Sequence, residues 1–244
     1  MNVRRFFSLG SLIVVLLASF AHVAPTFAAV DKLPNLRMAI TNVHLARESG
    51  QLRLRFSTII ANVGSGRFDV LGRRASTRQP TMDTVKQVIY NDAGGFRVVG
   101  TTAVMYFAGD GHNHWHIRDL ERFELFRRNA NGTWTKVGNG EKHGFCFYDN
   151  YQFNLRLPGA PQSPVYRGCG TSTSLSVRAG LSIGWGDRYS STLPDQYINM
   201  TGVPNGVYLL KATANWYKKF VESNLNDNST SIKFQLRNGV LTIL

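Results

Sequence analysis

The sequence has only two cysteines and, beyond its amino-terminal segment, no long apolar run. The one apolar run, from Leu12 to Phe20, follows Arg4 and Arg5 and precedes the small residues around Ala28. This order is typical of a cleaved secretory signal peptide, predicted as residues 1–28, whereas a membrane anchor needs ~20 apolar residues. We therefore expect an exported mature chain, in a secreted, periplasmic or extracellular location, with no membrane segment after cleavage.

Acidic residues are also scarce, with 15 Asp and Glu against 28 Lys and Arg and a net charge of +13. Removal of Arg4 and Arg5 with the signal peptide leaves +11, from 13 − 2. The basic residues are scattered and match no known nucleic-acid-binding module, so we expect no nucleic acid partner. The charge is compatible with association with acidic polymers or cell-wall material, and equally with a basic surface that has no specific partner.

The two cysteines, Cys146 and Cys169, both lie in the mature chain. In an oxidising compartment such a pair is typical of a disulfide, which here would close a loop of about 24 residues and contribute ~3 kcal/mol. Two metal-binding thiolates are the alternative, but the CxxC spacing typical of such sites is missing.

Long helical patterns are hard to find. Short alternating or β-branched runs recur instead, separated by glycine-containing turns: LRMAITNVHL, LRLRFSTIIANVG, VKQVIY, TAVMYF, TWTKV and VYLLKATANW. Strands at this spacing favour an all-β, antiparallel β-sandwich of immunoglobulin-like or related type. Residues 155–174, rich in Pro, Gly and Ser, predict a long irregular loop. We expect one domain over residues 29–244.

Three of the six histidines occur in the segment GHNHWHIRDLERFELF, at His112, His114 and His116. Because residues two apart share one face of a strand, the three imidazoles would project together while Trp115 and Ile117 pack into a core. In a regular strand the outer two histidines would be about 13 Å apart, so a shared metal requires a bend. Neighbouring glycines 109 and 111 are where a bend is easiest.

Three nitrogen ligands with open positions suit a catalytic metal. Copper, zinc, iron and nickel all accept imidazole, so the motif alone does not choose among them. The alternative is a solvated, histidine-rich edge strand without metal.

Four segments, taken in order, resemble the lysyl oxidase family: GHNHWH, GEKHGFCFYD (140–149), GLSIGWGDRY (180–189) with the residues after it, and VESNLNDN (221–228). The resemblance covers roughly residues 105–236. It implies that His112, His114 and His116 bind copper. It further implies that Lys142 and Tyr189 are cross-linked into a lysine tyrosylquinone.

The resemblance implies the oxidation of primary amines to aldehydes by molecular oxygen, with release of ammonia and hydrogen peroxide. Peptidyl lysine, a polyamine and a small monoamine all fit as the amine. Asp187, two residues from Tyr189, is a candidate for the base that removes a substrate proton. Gly111 replaces the cysteine that precedes the first histidine in animal members, and the first hundred residues do not resemble their receptor-type domains.

Two other functions remain open. The first is a non-catalytic exported β-sandwich that binds copper or zinc. The second, a metal hydrolase or oxygenase, lacks an obvious carboxylate ligand. The separation of Lys142 and Tyr189 from the three histidines discriminates between the oxidase and the binding protein.

Overall fold

The chain is built from antiparallel β-strands. The computed structural model describes residues 28–109 and 112–244, so the predicted signal peptide lies outside the described residues except for its last residue. Within those ranges no helix is long and apolar enough to cross a membrane. The strands are, in chain order, β1 (Asp31–Lys32), β2 (Leu36–Glu48), β3 (Gln51–Asn62), β4 (Phe68–Arg73), β5 (Thr81–Met82), β6 (Thr84–Asn91), β7 (Phe96–Gly100), β8 (Met105–Phe107), β9 (Trp115–Arg118), β10 (Glu121–Arg128), β11 (Trp134–Asn139), β12 (Gly144–Phe145), β13 (Tyr151–Gln152), β14 (Ser176–Leu181), β15 (Trp185–Tyr189), β16 (Tyr197–Asn199), β17 (Gly206–Ala214), β18 (Ser229–Arg237) and β19 (Val240–Ile243).

The all-β prediction is confirmed. The six runs identified in the sequence fall on β2, β3, β6, β8, β11 and β17. No strand interrupts residues 155–174, which form the irregular loop expected there.

The strands form four antiparallel sheets. The first has the order β1-β6-β4-β14 with β7 beside β6, and the second has the order β13-β15-β3-β16 with β2 beside β3. The third is β12-β9-β8-β5 and the fourth is β11-β10-β17-β18-β19. One hydrophobic core cluster takes residues from all four sheets, including Phe56, Val70, Ile117 and Tyr208.

The longest hairpin, β2–β3, organises the region that holds the functional residues. Its turn residues Ser49 and Gly50 both have positive φ, at 50° and 77°. Paired positive φ values match the right-handed twist of the flanking strands. β3 also pairs with β15, where Thr58 lies opposite Tyr189. The strand that carries the predicted cofactor tyrosine is therefore held by main-chain hydrogen bonds to β3.

Candidate metal and cofactor site

The histidine segment is not one continuous strand, so the predicted strand is wrong for His112 and His114, whereas the bend that a shared metal requires is present. Only His116 lies in a strand, β9, whereas His112 and His114 precede it in a turn. Asn113, between the first two histidines, has φ of 49°, a left-handed conformation that asparagine tolerates better than most residues. A second positive φ, 57° at Asp119, separates β9 from β10. The expected apolar face is nevertheless present, since Trp115 is buried.

The turn brings the three imidazoles together. Their ring centres are 5.4 Å apart for His112 and His114, 5.5 Å for His112 and His116, and 4.8 Å for His114 and His116. One ring nitrogen from each lies within 4.8 Å of the others. Nitrogen ligands of one metal ion, each at ~2.0–2.1 Å, are at most about 4 Å apart. Small rotations of the rings reach that separation, so the cluster fits a metal ion, and neutral imidazoles suit copper.

Gly144, which sequence reasoning did not single out, makes room for the third histidine. It lies in β12, which pairs with β9. A Cβ atom at residue 144 would stand 2.7 Å from Nδ1 of His116 and would overlap the phenol of Tyr106. The Tyr106 ring contacts His116 edge to face, with ring centres 5.7 Å apart. Only glycine leaves both rings where they are.

Lys142 and Tyr189 lie side by side in the interior. Each is 5% exposed, and Lys142 Nζ is 5.5 Å from the centre of the Tyr189 ring. The same Nζ is 5.5 Å from the centre of Phe145, whose ring meets Tyr189 edge to face. The Tyr189 hydroxyl donates a hydrogen bond to the carbonyl of Cys146. Burial, reinforced by the negative charges of nearby carboxyls, raises the pKa of Tyr189 well above its usual range.

Asp187, the candidate base, is 1% exposed on the same strand as Tyr189. Burial raises its pKa to about 8, although Asn150 donates a hydrogen bond to Oδ1 and Lys142 is close enough to favour the charged form. A carboxyl group with a pKa near neutrality is suited to accept and release protons.

The predicted disulfide is present between Cys146 and Cys169, with Cα atoms 5.8 Å apart and both residues 3% exposed. On one side the carbonyl of Cys146 accepts the hydrogen bond from Tyr189. On the other, the carbonyl of Cys169 accepts a hydrogen bond of 3.0 Å from the backbone nitrogen of Trp115, between two of the histidines. The disulfide therefore ties the tyrosine to the histidine segment.

Two cavities flank the lysine and tyrosine. The first, about 310 Å³, is lined by His112, His114, Cys146, Tyr148, Asn150, Asp187, Arg188, Tyr189, Ser190 and Leu193. The second, about 430 Å³, is lined by Asp119, Glu121, Arg122, Phe123, Asn139, Gly140, Glu141, Lys142, His143 and Tyr217. Tyr189 faces the cavity that contains two histidines, whereas Lys142 faces the other, and no residue lines both.

A buried polar group that sequence reasoning missed lies beside this pair. Glu121, the first residue of β10, is 3% exposed and accepts a hydrogen bond of 3.4 Å from the Thr58 hydroxyl. Burial and the charge of Asp187 raise its pKa well above the usual range, an effect that Lys142 opposes. Nothing local in the sequence marks Glu121, because its neighbours come from distant segments.

The predicted site residues therefore converge on one region, and all of them lie within the part of the chain that matches a known family. Residues 100–244 match the family model for lysyl oxidase. A search of curated proteins found no match. The family match spans more than half of the chain, which therefore belongs to the lysyl oxidase family, a family of copper-dependent amine oxidases.

Proposed function

We propose that the protein oxidises primary amines to aldehydes, using copper held by His112, His114 and His116 and a lysine tyrosylquinone formed from Lys142 and Tyr189. Overall, a primary amine, oxygen and water give an aldehyde, ammonia and hydrogen peroxide, so the two electrons and two protons removed from the amine appear in peroxide. Amino acid side chains lack an adequate two-electron acceptor for an amine, which is why a quinone is required.

One observation carries the proposal. Lys142 Nζ is 5.5 Å from the centre of the Tyr189 ring, and Tyr189 lines the same cavity as His112 and His114. A lysine side chain is a flexible four-carbon stem, so rotation alone can bring Nζ onto the ring. The non-catalytic metal-binding alternative does not require these two residues to meet beside the histidines.

Copper at the three imidazoles would supply the redox chemistry that activates oxygen for oxidation of the Tyr189 ring. The chain itself fixes the reacting partners. Phe145 packs against both the lysine and the tyrosine, and the Cys146 carbonyl holds the tyrosine hydroxyl. Attack on the oxidised ring requires the neutral amine of Lys142, because only a neutral amine has a free electron pair.

Asp187 is proposed as the base that takes the proton from the substrate carbon next to nitrogen. It is buried in the wall of the cavity that contains Tyr189, with a pKa of about 8. Asn150 donates a hydrogen bond to one carboxyl oxygen and so fixes the orientation of the group.

We also propose that the protein acts outside the cytoplasm. The amino-terminal sequence has the order of a signal peptide, and the buried disulfide requires an oxidising compartment to form and persist.

The test is Lys142→Arg, with Lys233→Arg as a matched control on an exposed strand position. A guanidinium stays protonated and cannot attack the oxidised ring. Copper-loaded wild type and Lys233→Arg should show a visible quinone absorbance, reaction with phenylhydrazine, amine-dependent peroxide and a linked peptide containing residues 142 and 189. Lys142→Arg should bind copper but lack all four.

Amine oxidation by Lys142→Arg at the wild-type rate would refute the quinone assignment. If copper-loaded wild type oxidises no amine, the protein is a metal-binding member without this activity.

A further inference from the structure

The cavity that Lys142 lines contains none of the three clustered histidines, and its acidic residues outnumber its Lys and Arg residues, in a chain whose net charge is +13. Three carboxyl groups line it, those of Asp119, Glu121 and Glu141, against the cations of Arg122 and Lys142.

Two other charged groups of the wall, Arg122 and Asp119, already have partners. Arg122 Nε lies 3.4 Å from Glu124 Oε1, and its guanidinium stacks over Trp216 at 4.5 Å from the ring centre. His143, at the exposed edge, is 3.2 Å from an Asp119 carboxyl oxygen. None of these contacts involves Glu121, which is buried in the same wall.

The carboxyl group of Glu121 is the feature of this cavity that points to a ligand. Its Oε2 accepts the hydrogen bond from Thr58, but Oε1 is buried and no group in residues 28–109 or 112–244 donates a hydrogen bond to it. An unpaired buried carboxyl oxygen is costly, so a ligand that donates hydrogen bonds to it gains strongly. The cavity volume of about 430 Å³ exceeds what a bare metal ion needs.

We propose that this acidic cavity, ending at Glu121, is the entrance and binding site for the ammonium end of a primary alkylamine. The ammonium group donates hydrogen bonds to Glu121, while Asp119 and Glu141 at the outer part attract the cation. The alkyl chain extends toward Tyr217, which is 57% exposed. This inference rests on the proposed function and assigns amine entry to the cavity that lacks the histidines. The amine then reaches the Tyr189 ring from the side of Lys142, whose Nζ is 5.5 Å from the ring centre, and Asp187 acts on it from the cavity on the other side.

The site also provides for the proton that must leave before the amine can react. An ammonium group transfers one proton to the Glu121 carboxylate, which gives a neutral amine and a neutral carboxyl group. Burial makes this carboxylate a stronger base than an ordinary glutamate, since it raises the pKa. The proton then returns to solvent through the same cavity.

The experiment measures binding of n-butylammonium chloride to metal-free protein by titration calorimetry. Without copper no quinone forms, so oxidation does not interfere. Glu121→Gln keeps the size of the side chain and an oxygen for Thr58, and should weaken binding at least ~tenfold, as expected when a charged hydrogen-bond acceptor is lost. Asp83→Asn, an exposed position outside the cavity, removes the same charge and should bind as wild type does.

The neutral analogue 1-butanol should bind at least ~tenfold more weakly than n-butylammonium to wild type. Equal affinity of n-butylammonium for wild type and Glu121→Gln would overturn the proposal, as would equal affinity of wild type for the ammonium and the alcohol. If Glu121→Gln loses its fold by circular dichroism, Glu141→Gln provides the measurement. Loss of the exposed Glu141 charge should weaken n-butylammonium binding roughly two- to threefold. Unchanged affinity of Glu141→Gln would overturn the proposal too.

In copper-loaded protein, Glu121→Gln should raise KM for n-butylamine while the quinone content measured with phenylhydrazine stays at the wild-type level. A protein that binds n-butylammonium through Glu121 but never forms quinone would retain this site and lose the proposed oxidase function. A protein that oxidises amines equally well with and without Glu121 would retain the function and lose the site.

Discussion

A methyl group added at Gly144 should disturb the metal site without replacing any of the three histidines. In Gly144→Ala the new Cβ would lie 2.7 Å from His116 Nδ1, whereas ordinary contacts begin at 3.4 Å. The imidazole or β12 must therefore move by about 0.7 Å, and the phenol of Tyr106 must move as well. Metal–ligand distances tolerate shifts of ~0.2 Å.

Two magnitudes follow. Overpacking of a buried site of this kind costs ~1–3 kcal/mol, so the metal-free variant should unfold at lower urea concentration. Displacement of one ligand should weaken copper binding ~10- to 100-fold, as changes in the groups that orient ligands do elsewhere. Urea unfolding followed by circular dichroism measures the first quantity, and copper titration against a competing chelator measures the second.

Gly100→Ala is the control, because a Cβ at residue 100 meets no atom within 4 Å. It should match wild type in both assays. Wild-type copper affinity and wild-type unfolding in Gly144→Ala would refute the reasoning, because the predicted overlap would then have been relieved without moving His116.

Three further results are expected. His114→Ala should retain little copper after dialysis, since the two remaining imidazoles make a poor site; unchanged copper content by metal analysis would locate the metal elsewhere. Joint replacement of Cys146 and Cys169 by alanine should lower the free energy of unfolding by ~3 kcal/mol in urea, and an unchanged midpoint would contradict this. Residues 100–244 produced alone should show no cooperative unfolding transition, because β14, β15 and β16 lose the partners β3 and β4; a sharp transition would show that they fold independently.

Much of the fold could be predicted because the strands and the long loop depend on local sequence patterns. Alternation and β-branching located β2 and β3, and the loop from 155 to 174 followed from its composition. The alternate spacing of the three histidines predicted that their side chains share one side of the chain, and a bend was needed to bring them to one metal. A strand was expected, whereas the actual convergence depends on the positive φ of Asn113.

The remaining features depend on contacts between distant segments. Glu121 meets Thr58 across a separation of 63 residues, and neither residue is unusual in its own neighbourhood. Gly144 is needed only because β12 packs against β9. No sequence periodicity marks such positions, so only the arrangement of the folded sheets identifies them.

The pairing of β15 with β3 has a consequence for how the amino-terminal sequence of this protein can change during evolution. Tyr189 lies within the family match, yet the strand beside it comes from residues 51–62, ahead of the match. Main-chain hydrogen bonds provide that support, and these bonds do not depend on the identity of most side chains. The exposed amino-terminal positions can therefore change widely, whereas most of β3 is buried and its side chains are constrained as well. Thr58 is one such position, since its hydroxyl reaches Glu121, and relatives should retain a hydroxyl there.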